Sequence, residues 1–213
     1  MKVISVITAR GGSKGVPRKN IVDINGKPLI WYSINASLKS KVVETWVSTE
    51  DEEIKKISLS YGAKVIDRPK ELANDIVHTE PALLHAASKI DFDILVFIQP
   101  CAVFINSKII NAIIDKITNE KFDSSFAVVR ESWMPTWDLN VNPIGWQVEK
   151  RPRRQDKSEW YKEAGMVYAT TRKKLLESKL RYSGNIGVVE IPLHESFQID
   201  NPQDLDLIRK IIE

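Results

Sequence analysis

Short apolar runs alternate with amphipathic stretches along most of the chain. Val3-Ile-Ser-Val-Ile7 is a run of strand length, and Ile94-Leu-Val-Phe-Ile98 is unbroken enough to suit a strand buried on both faces. Between them the pattern predicts a turn at Ile24-Asn-Gly-Lys-Pro28, then a helix carrying Leu29, Ile30, Ile34 and Leu38. Strands follow over 43–48 and 63–66, with helices over 51–61 and 81–89. Beyond residue 98 the pattern gives a helix over 105–119 and a strand over 125–129. From 131 to 162 the periodicity breaks: Trp133, Trp137, Trp146 and Trp160 fall among prolines, charges and polar residues. Regular structure resumes with a strand over 165–169, a helix near 172–178, a strand over 186–191 and a further segment at 197–200. Asn201-Pro202 then opens an amphipathic helix with Leu205, Leu207, Ile208, Ile211 and Ile212, proline being well tolerated in a first turn.

Strands and helices in alternation predict an α/β fold, an open, mostly parallel sheet with helices on both sides. In such sheets ligands bind beyond the carboxyl ends of the strands. No internal repeat or low-complexity linker divides the chain, so 1–213 reads as one domain. Within it, 131–162 reads as a hairpin or arm whose large apolar side chains cover either a partner subunit or the domain's own core.

Composition narrows the function. Hydrophobic content of 43% and charged content of 28% are ordinary for a soluble globular protein. A net charge of +3 is too balanced for nucleic-acid binding through phosphate neutralisation along a groove. Basic residues instead concentrate in 10–19 and in Lys150-Arg-Pro-Arg-Arg154, the pattern expected for a small anionic ligand. Cys101 is the single cysteine, which excludes intrachain disulfides and cysteine-based zinc sites and reads as a buried, inert thiol. The first apolar run is too short to span a bilayer and lacks the order of a secretory signal, so the expected location is cytoplasmic, with no membrane partner.

The strand at the N-terminus empties into Ala9-Arg-Gly-Gly-Ser-Lys-Gly-Val-Pro-Arg-Lys-Asn20. Gly11, Gly12 and Gly15 suggest a backbone bent into conformations closed to other residues, with N–H groups brought close to an anion. Arg10, Lys14, Arg18 and Lys19 supply charge, so polyphosphate is the expected ligand. The spacing matches neither the P-loop nor the dinucleotide glycine signature.

Residues 7–20, Ile7-Thr-Ala-Arg-Gly-Gly-Ser-Lys-Gly-Val-Pro-Arg-Lys-Asn20, resemble the N-terminal signature of the acylneuraminate cytidylyltransferases, the CMP-sialic acid synthetases. Further similarities follow in order: Val47-Ser-Thr49, Arg68-Pro-x-Glu-Leu-Ala-x-Asp75, Gln99-Pro100, Arg154-Gln155, Gly165-x-x-Tyr168 and Ser196-x-x-Ile-Asp-x-x-x-Asp-Leu205. The resemblance implies a Rossmann-like nucleotidyltransferase fold, a homodimer, and transfer of CMP from CTP to a nonulosonic acid sugar with Mg²⁺ as cofactor. It implies that Ala9, Arg10, Gly11, Gly12, Ser13, Lys14, Lys19 and Asn20 hold the triphosphate, and that Arg68, Asp75 and Thr79 complete the nucleotide site. By the same resemblance Gln99, Arg154, Gln155, Lys162 and Tyr168 face the sugar. Asp200, with Gln198, would hold the metal, and Arg10, Lys19 and Asp200 carry catalysis.

Plainer readings accompany several of these. Thr79 could cap the following helix, and Asp200 could serve as a turn and cap residue before Asn-Pro. His85 falls in a helical pattern and reads as packing or surface; His78 lies near the base site without an acid–base partner. The chain also departs from the family pattern. Cys101-Ala-Val-Phe-Ile105 stands where Thr-Ser-Pro-Leu-Arg is common, Gln198 replaces an aspartate, Ala164 an asparagine, and Lys162 an arginine. The nucleotide half is therefore expected to be kept and the sugar half refitted. The alternatives are a CMP-KDO or other sugar-nucleotide pyrophosphorylase, and a non-catalytic nucleotide-binding homologue.

Overall fold

A computed structural model describes residues 1–212; Glu213, the last residue of the predicted domain, lies outside the described residues. The central sheet has seven strands: β1 (Val3–Thr8), β4 (Glu44–Thr49), β5 (Lys64–Asp67), β6 (Ile94–Ile98), β7 (Ser124–Glu131), β8 (Trp160–Thr171) and β9 (Ile186–Glu190). They lie in the order β5-β4-β1-β6-β8-β7-β9. Only β8 runs against the others: its pairings with β6 and β7 are antiparallel, and all other neighbours are parallel. The mostly parallel sheet is thus as the alternation requires.

Every residue of β6 is buried, as an unbroken apolar run in a covered sheet must be. Helices α1 (Leu29–Leu38), α2 (Glu52–Ser60) and α4 (Ser107–Thr118) pack on one face through Ile30, Ile34, Ile54, Ile110 and Ile113. Helices α3 (Glu80–Lys89) and α5 (Arg172–Ser178) cover the other through Leu83, Ala86 and Leu175. A third apolar cluster joins the last helix, α6 (Pro202–Ile212), to the N-terminal loop, with Val16 packed among Ile199, Leu205 and Ile208.

Differences from the expected elements have local causes. The turn at 24–28 is the tip of a small hairpin, β2 (Asp23–Ile24) with β3 (Lys27–Pro28), where Asn25 and Gly26 take φ of 50° and 74°. Helix α4 begins two residues late because Asn106 stops the chain in extended conformation and its side chain accepts the Lys108 and Ile109 N–H groups. The segment at 197–200 makes no strand, only an isolated bridge between Gln198 and Ala102. The strand expected at 165–169 runs from Trp160, because its polar first half pairs with β7 as far as Glu131. The irregular arm therefore reduces to 132–159, between two paired strands. Within it Trp146 meets Trp133 and Trp137 edge to face, at 6.3 and 4.9 Å between centroids.

Candidate active site

The strand order reverses between β1 and β6, and the segments that leave these two carboxyl ends are residues 9–20 and Gln99-Pro100. A cleft of about 430 Å³ opens there. Its lining includes Arg10, Ser13, Lys14, Gly15, Lys19, Asn20, Arg68, Asp75, Thr79, Gln99 and Asp200. Eleven positions spread across nearly the whole chain thereby meet at one place.

Distant segments strap the loop down. Ala9 is buried, and its N–H donates to the Ser48 carbonyl. Asn20 is buried too and donates through Nδ2 to the Arg10 carbonyl. Arg10 reaches Asn74 O at 2.9 Å and the Asp75 carboxylate at 2.8 Å, while Lys14 approaches the other Asp75 oxygen at 3.2 Å. Hydrogen bonding from Lys14, with help from the Arg10 charge, holds the Asp75 carboxyl below its usual range. Lys19 donates to Ile199 O at 2.8 Å and to Asp200 Oδ1 at 3.0 Å. Arg18 points elsewhere, forking onto Asp51 and Glu53.

The three glycines serve a different purpose from the one expected. None of Gly11, Gly12 and Gly15 has positive φ; Arg18, at φ 56°, is the left-handed residue of the loop. What Gly11 and Gly15 supply is room. A Cβ on Gly11 would sit 2.5 Å from Asp51 Oδ2, and one on Gly15 would collide with the Asp200 carbonyl oxygen. Nor is the Gly11 N–H free for a ligand anion, since it donates to the protein's own carboxylate at Glu50 Oε1, 2.7 Å away. Gly12 has open space around it.

Two plainer readings fall away on geometry. Thr79 stands at the start of α3 in helical conformation with no side-chain cap bond, and it lines the cleft. Asn201 and Asp204, not Asp200, close the turn before α6. Asn201 Oδ1 accepts the Asp204 N–H, and Asp204 accepts those of Asp200 and Asn201. The Asp200 carboxylate is left to Lys19.

The sugar-side expectations scatter. Gln99 lines the cleft, but Arg154, Gln155, Lys162, Tyr168 and Gln198 do not. Arg154 donates to Ser132 Oγ, Lys162 pairs with Glu131 at 3.1 Å, and Gln155 is exposed in a turn of the arm. Tyr168 is buried, stacked between Phe97 and Tyr182, and donates to Glu163 at 2.9 Å. Burial, reinforced by Glu163, raises its hydroxyl pKa. The Gln198 amide is engaged at both ends: Nε2 donates to Ala164 O at 2.5 Å, and Oε1 accepts the Cys101 thiol at 3.1 Å. Burial pushes that thiol up to about 11, so Cys101 stays protonated near neutrality. His78 lines the cleft. His85 lies outside it, its Nδ1 buried without a partner, and burial lowers its pKa.

Arg181 and Glu50 were missed. Arg181 is shared between the cleft and a neighbouring cavity of about 310 Å³ lined also by Glu80, Glu163, Leu180 and Tyr182. Its Nε donates to Glu80 at 2.6 Å, and its guanidinium carbon lies 5.5 Å from the Phe97 ring centroid and 5.3 Å from that of Tyr168. A basic residue in an aperiodic turn gives no signal in sequence. Glu50 did give one, as an acidic residue at the carboxyl end of a parallel strand, directly after Val47-Ser-Thr49.

Among the described residues no group of three or more His, Cys, Asp or Glu side chains is placed to hold a metal. Of the two carboxylates that line the cleft, Asp75 is held by Arg10 and Lys14; Asp200, with the single partner Lys19 among the described residues, suits an ion that brings most of its oxygens from phosphates and water, the habit of Mg²⁺. No helix among the described residues is long and apolar enough to cross a membrane.

Known proteins resemble the chain over most of its length. The chain is 33% identical to the pseudaminic acid cytidylyltransferase of Campylobacter jejuni (strain 81-176), across 98% of this chain and 95% of that one. It is 32% identical to the CMP-N,N'-diacetyllegionaminic acid synthase of Legionella pneumophila, across 100% and 97%. It is 35% identical to N-acylneuraminate cytidylyltransferase B of Danio rerio over 95% of its own length, but spans only about half, 49%, of that relative. In fold it is similar to a CMP:2-keto-3-deoxy-manno-octonic acid synthetase solved with CTP, at a TM-score of 0.75 and 22% identity, covering 100% of this chain and 98% of that one. The profile of the family described as "Cytidylyltransferase" matches residues 4–213, and the chain belongs to that family.

Proposed function

We propose that the chain transfers CMP from CTP to a nonulosonic acid of the sialic, pseudaminic or legionaminic kind, releasing pyrophosphate. The observation that carries this reading is the single cleft with Arg10, Lys14 and Lys19 on the glycine loop and the buried Arg68 with Thr79 on its facing segments. The three loop cations hold the triphosphate, and Arg68 and Thr79 address the base. The anomeric hydroxyl of the acceptor attacks the α-phosphorus and gives up its proton to solvent, while the bond from the α-phosphorus to the α–β bridging oxygen breaks and that oxygen leaves with pyrophosphate. Arg10, Lys14 and Lys19 stabilise the charge that gathers on the departing pyrophosphate. These cations exchange their carboxylate partners, Asp75 and Asp200, for phosphate oxygens as the nucleotide seats. Asp200 would be the protein's ligand to a Mg²⁺ ion held otherwise by phosphates and water, and such an ion would offset phosphate charge. Gln198 supplies no oxygen to it in this reading, because its amide is already bonded at both ends.

The acceptor occupies the Gln99 side of the cleft and extends past Arg181 into the adjoining cavity. Glu80, Glu163 and the Tyr182 hydroxyl there offer hydrogen-bond partners to hydroxyl and acylamino groups. The protein acts as a cytoplasmic homodimer, with the arm at 132–159 packed on the partner. Fully exposed Leu139 and exposed Met134, Val141 and Ile144 support that placement.

The test is pyrophosphate release from CTP and Mg²⁺ with N-acetylneuraminic, pseudaminic, N,N'-diacetyllegionaminic and 2-keto-3-deoxy-manno-octonic acids. Turnover with one of the acylamino sugars is expected. Preference for 2-keto-3-deoxy-manno-octonic acid would transfer the reading to CMP-KDO synthesis. Binding of CTP by folded protein without turnover of any acceptor would make the chain a non-catalytic homologue.

A further inference from the structure

We propose that Glu50 is a positioning residue that sets the glycine loop and the buried Arg68 in a fixed relation, and so governs how well the cleft discriminates one nucleotide base from another. The proposal rests on the reading of the cleft as a CTP site. Glu50 directly follows β4 and divides its two oxygens between two elements: Oε1 accepts the Gly11 N–H at 2.7 Å, and Oε2 accepts Arg68 Nη2 at 2.7 Å. The backbone completes the frame. Ala9 N donates to Ser48 O and Arg68 N to Thr49 O, so the loop after β1 and the segment after β5 are both pinned to the end of β4.

Charge is essential to this arrangement. Arg68 is only 7% exposed, and among the described residues Glu50 is the carboxylate paired with it. A buried guanidinium without a partner is strongly unfavourable, so removing the Glu50 charge would drive Arg68 toward solvent or another anion. Arg68 Nε is buried with no hydrogen-bond partner while the residue lines the cleft. Glu50 thus occupies one edge of the guanidinium and leaves Nε unspent. It also removes the Gly11 N–H from the set available to phosphate. Glu50 itself does not line the cleft, so its influence passes through Arg68 and the loop.

The experiment measures CTP and UTP binding by calorimetry, and turnover with each, for wild type, Glu50→Gln, Glu50→Asp, Arg68→Ala and the Glu50→Gln/Arg68→Ala double variant. Glu50→Gln is expected to weaken CTP about tenfold or more and to narrow the preference for CTP over UTP. Its KM for the acceptor stays within about twofold. Glu50→Asp, which keeps the charge on a shorter arm, recovers part of the loss, and the double variant is no worse than Arg68→Ala alone. Because binding is read separately, a wild type that binds CTP without turnover would remove the transferase reading and leave this test intact. A wild type that binds CTP no better than UTP would overturn the Glu50 proposal. So would a Glu50→Gln protein with a lowered melting temperature but unchanged base preference, or loss of CTP and acceptor binding in equal measure. Should Glu50→Gln fail to fold, the base preference of Glu50→Asp decides: unchanged preference overturns the proposal.

Discussion

The glycine loop and the arm each carry a cluster of basic residues, at 10–19 and 150–154, yet their charges are used differently. In the loop, Arg10, Lys14 and Lys19 are held by carboxylates from remote segments, Asp75 and Asp200, and all three side chains line one cleft. In and beside the arm, Arg153 pairs with Asp156 three residues on, Lys162 with Glu131 across the hairpin, and Arg130 with Glu190 and Glu159, all on exposed surface. Exposed pairs of this kind contribute little to stability and shape no site. A cluster of cations becomes a binding site when the fold makes it converge and partners it with groups that a ligand can displace. The arm has instead an excess of exposed apolar side chains, a surface suited to another protein.

Removing a loop cation should break the comparison most sharply. Lys19→Ala is expected to cost about 100-fold or more in kcat/KM with CTP while the melting temperature moves little, as for loss of a group that stabilises transition-state charge. Arg154→Ala, in the arm, should cost far less in single-chain CTP binding; comparable losses from both would erase the distinction. Next in size is assembly. Leu139→Glu combined with Val141→Glu should convert a dimer to monomer in sedimentation experiments, and an unchanged oligomeric state would return the arm to its own domain.

Smaller effects probe the seams. Gln198→Asp loses the bond to Ala164 O and brings a charge against the buried Cys101 thiol, for an expected loss of about 1–3 kcal/mol in chemical denaturation. A gain in activity without loss of stability would instead mark that position as a metal ligand. Smallest is the acid limb of stability. Hydrogen bonding from Arg18, opposed by partial burial and aided by the backbone N–H of Ile54, lowers the Asp51 carboxyl to about 2. The unfolded chain takes up this proton first. The stabilisation is therefore present above the ordinary aspartate range near 4 and is lost as pH falls from there toward 2. Asp51→Asn should lower stability near neutrality, where this contribution is fully present, and flatten the curve between about pH 4 and 2.

Much of the fold was legible because apolar periodicity is a local property. The buried run 94–98 and the helical spacing of 107–118 could form little else, and the element order then required a sheet whose ligand edge carries residues 9–20 and Gln99. The convergence of the loop's cations on a ligand edge was legible, but the reason for its glycines was not. Gly15 is small because the Asp200 carbonyl, far along the chain, lies against it.

The division is one of range. By itself the sequence determined most of the elements, the family and the cationic character of the loop, since these follow from side-chain types at short spacing. Only the tertiary structure decided which charges act together. It placed Asp75 and Asp200 on the loop cations, drew Arg68 to Glu50, left the Thr79 hydroxyl uncapped, set Arg181 on the aromatic stack and engaged the Gln198 amide within the protein. Each of these contacts is short in space and long in sequence, and periodicity carries no information about such pairings.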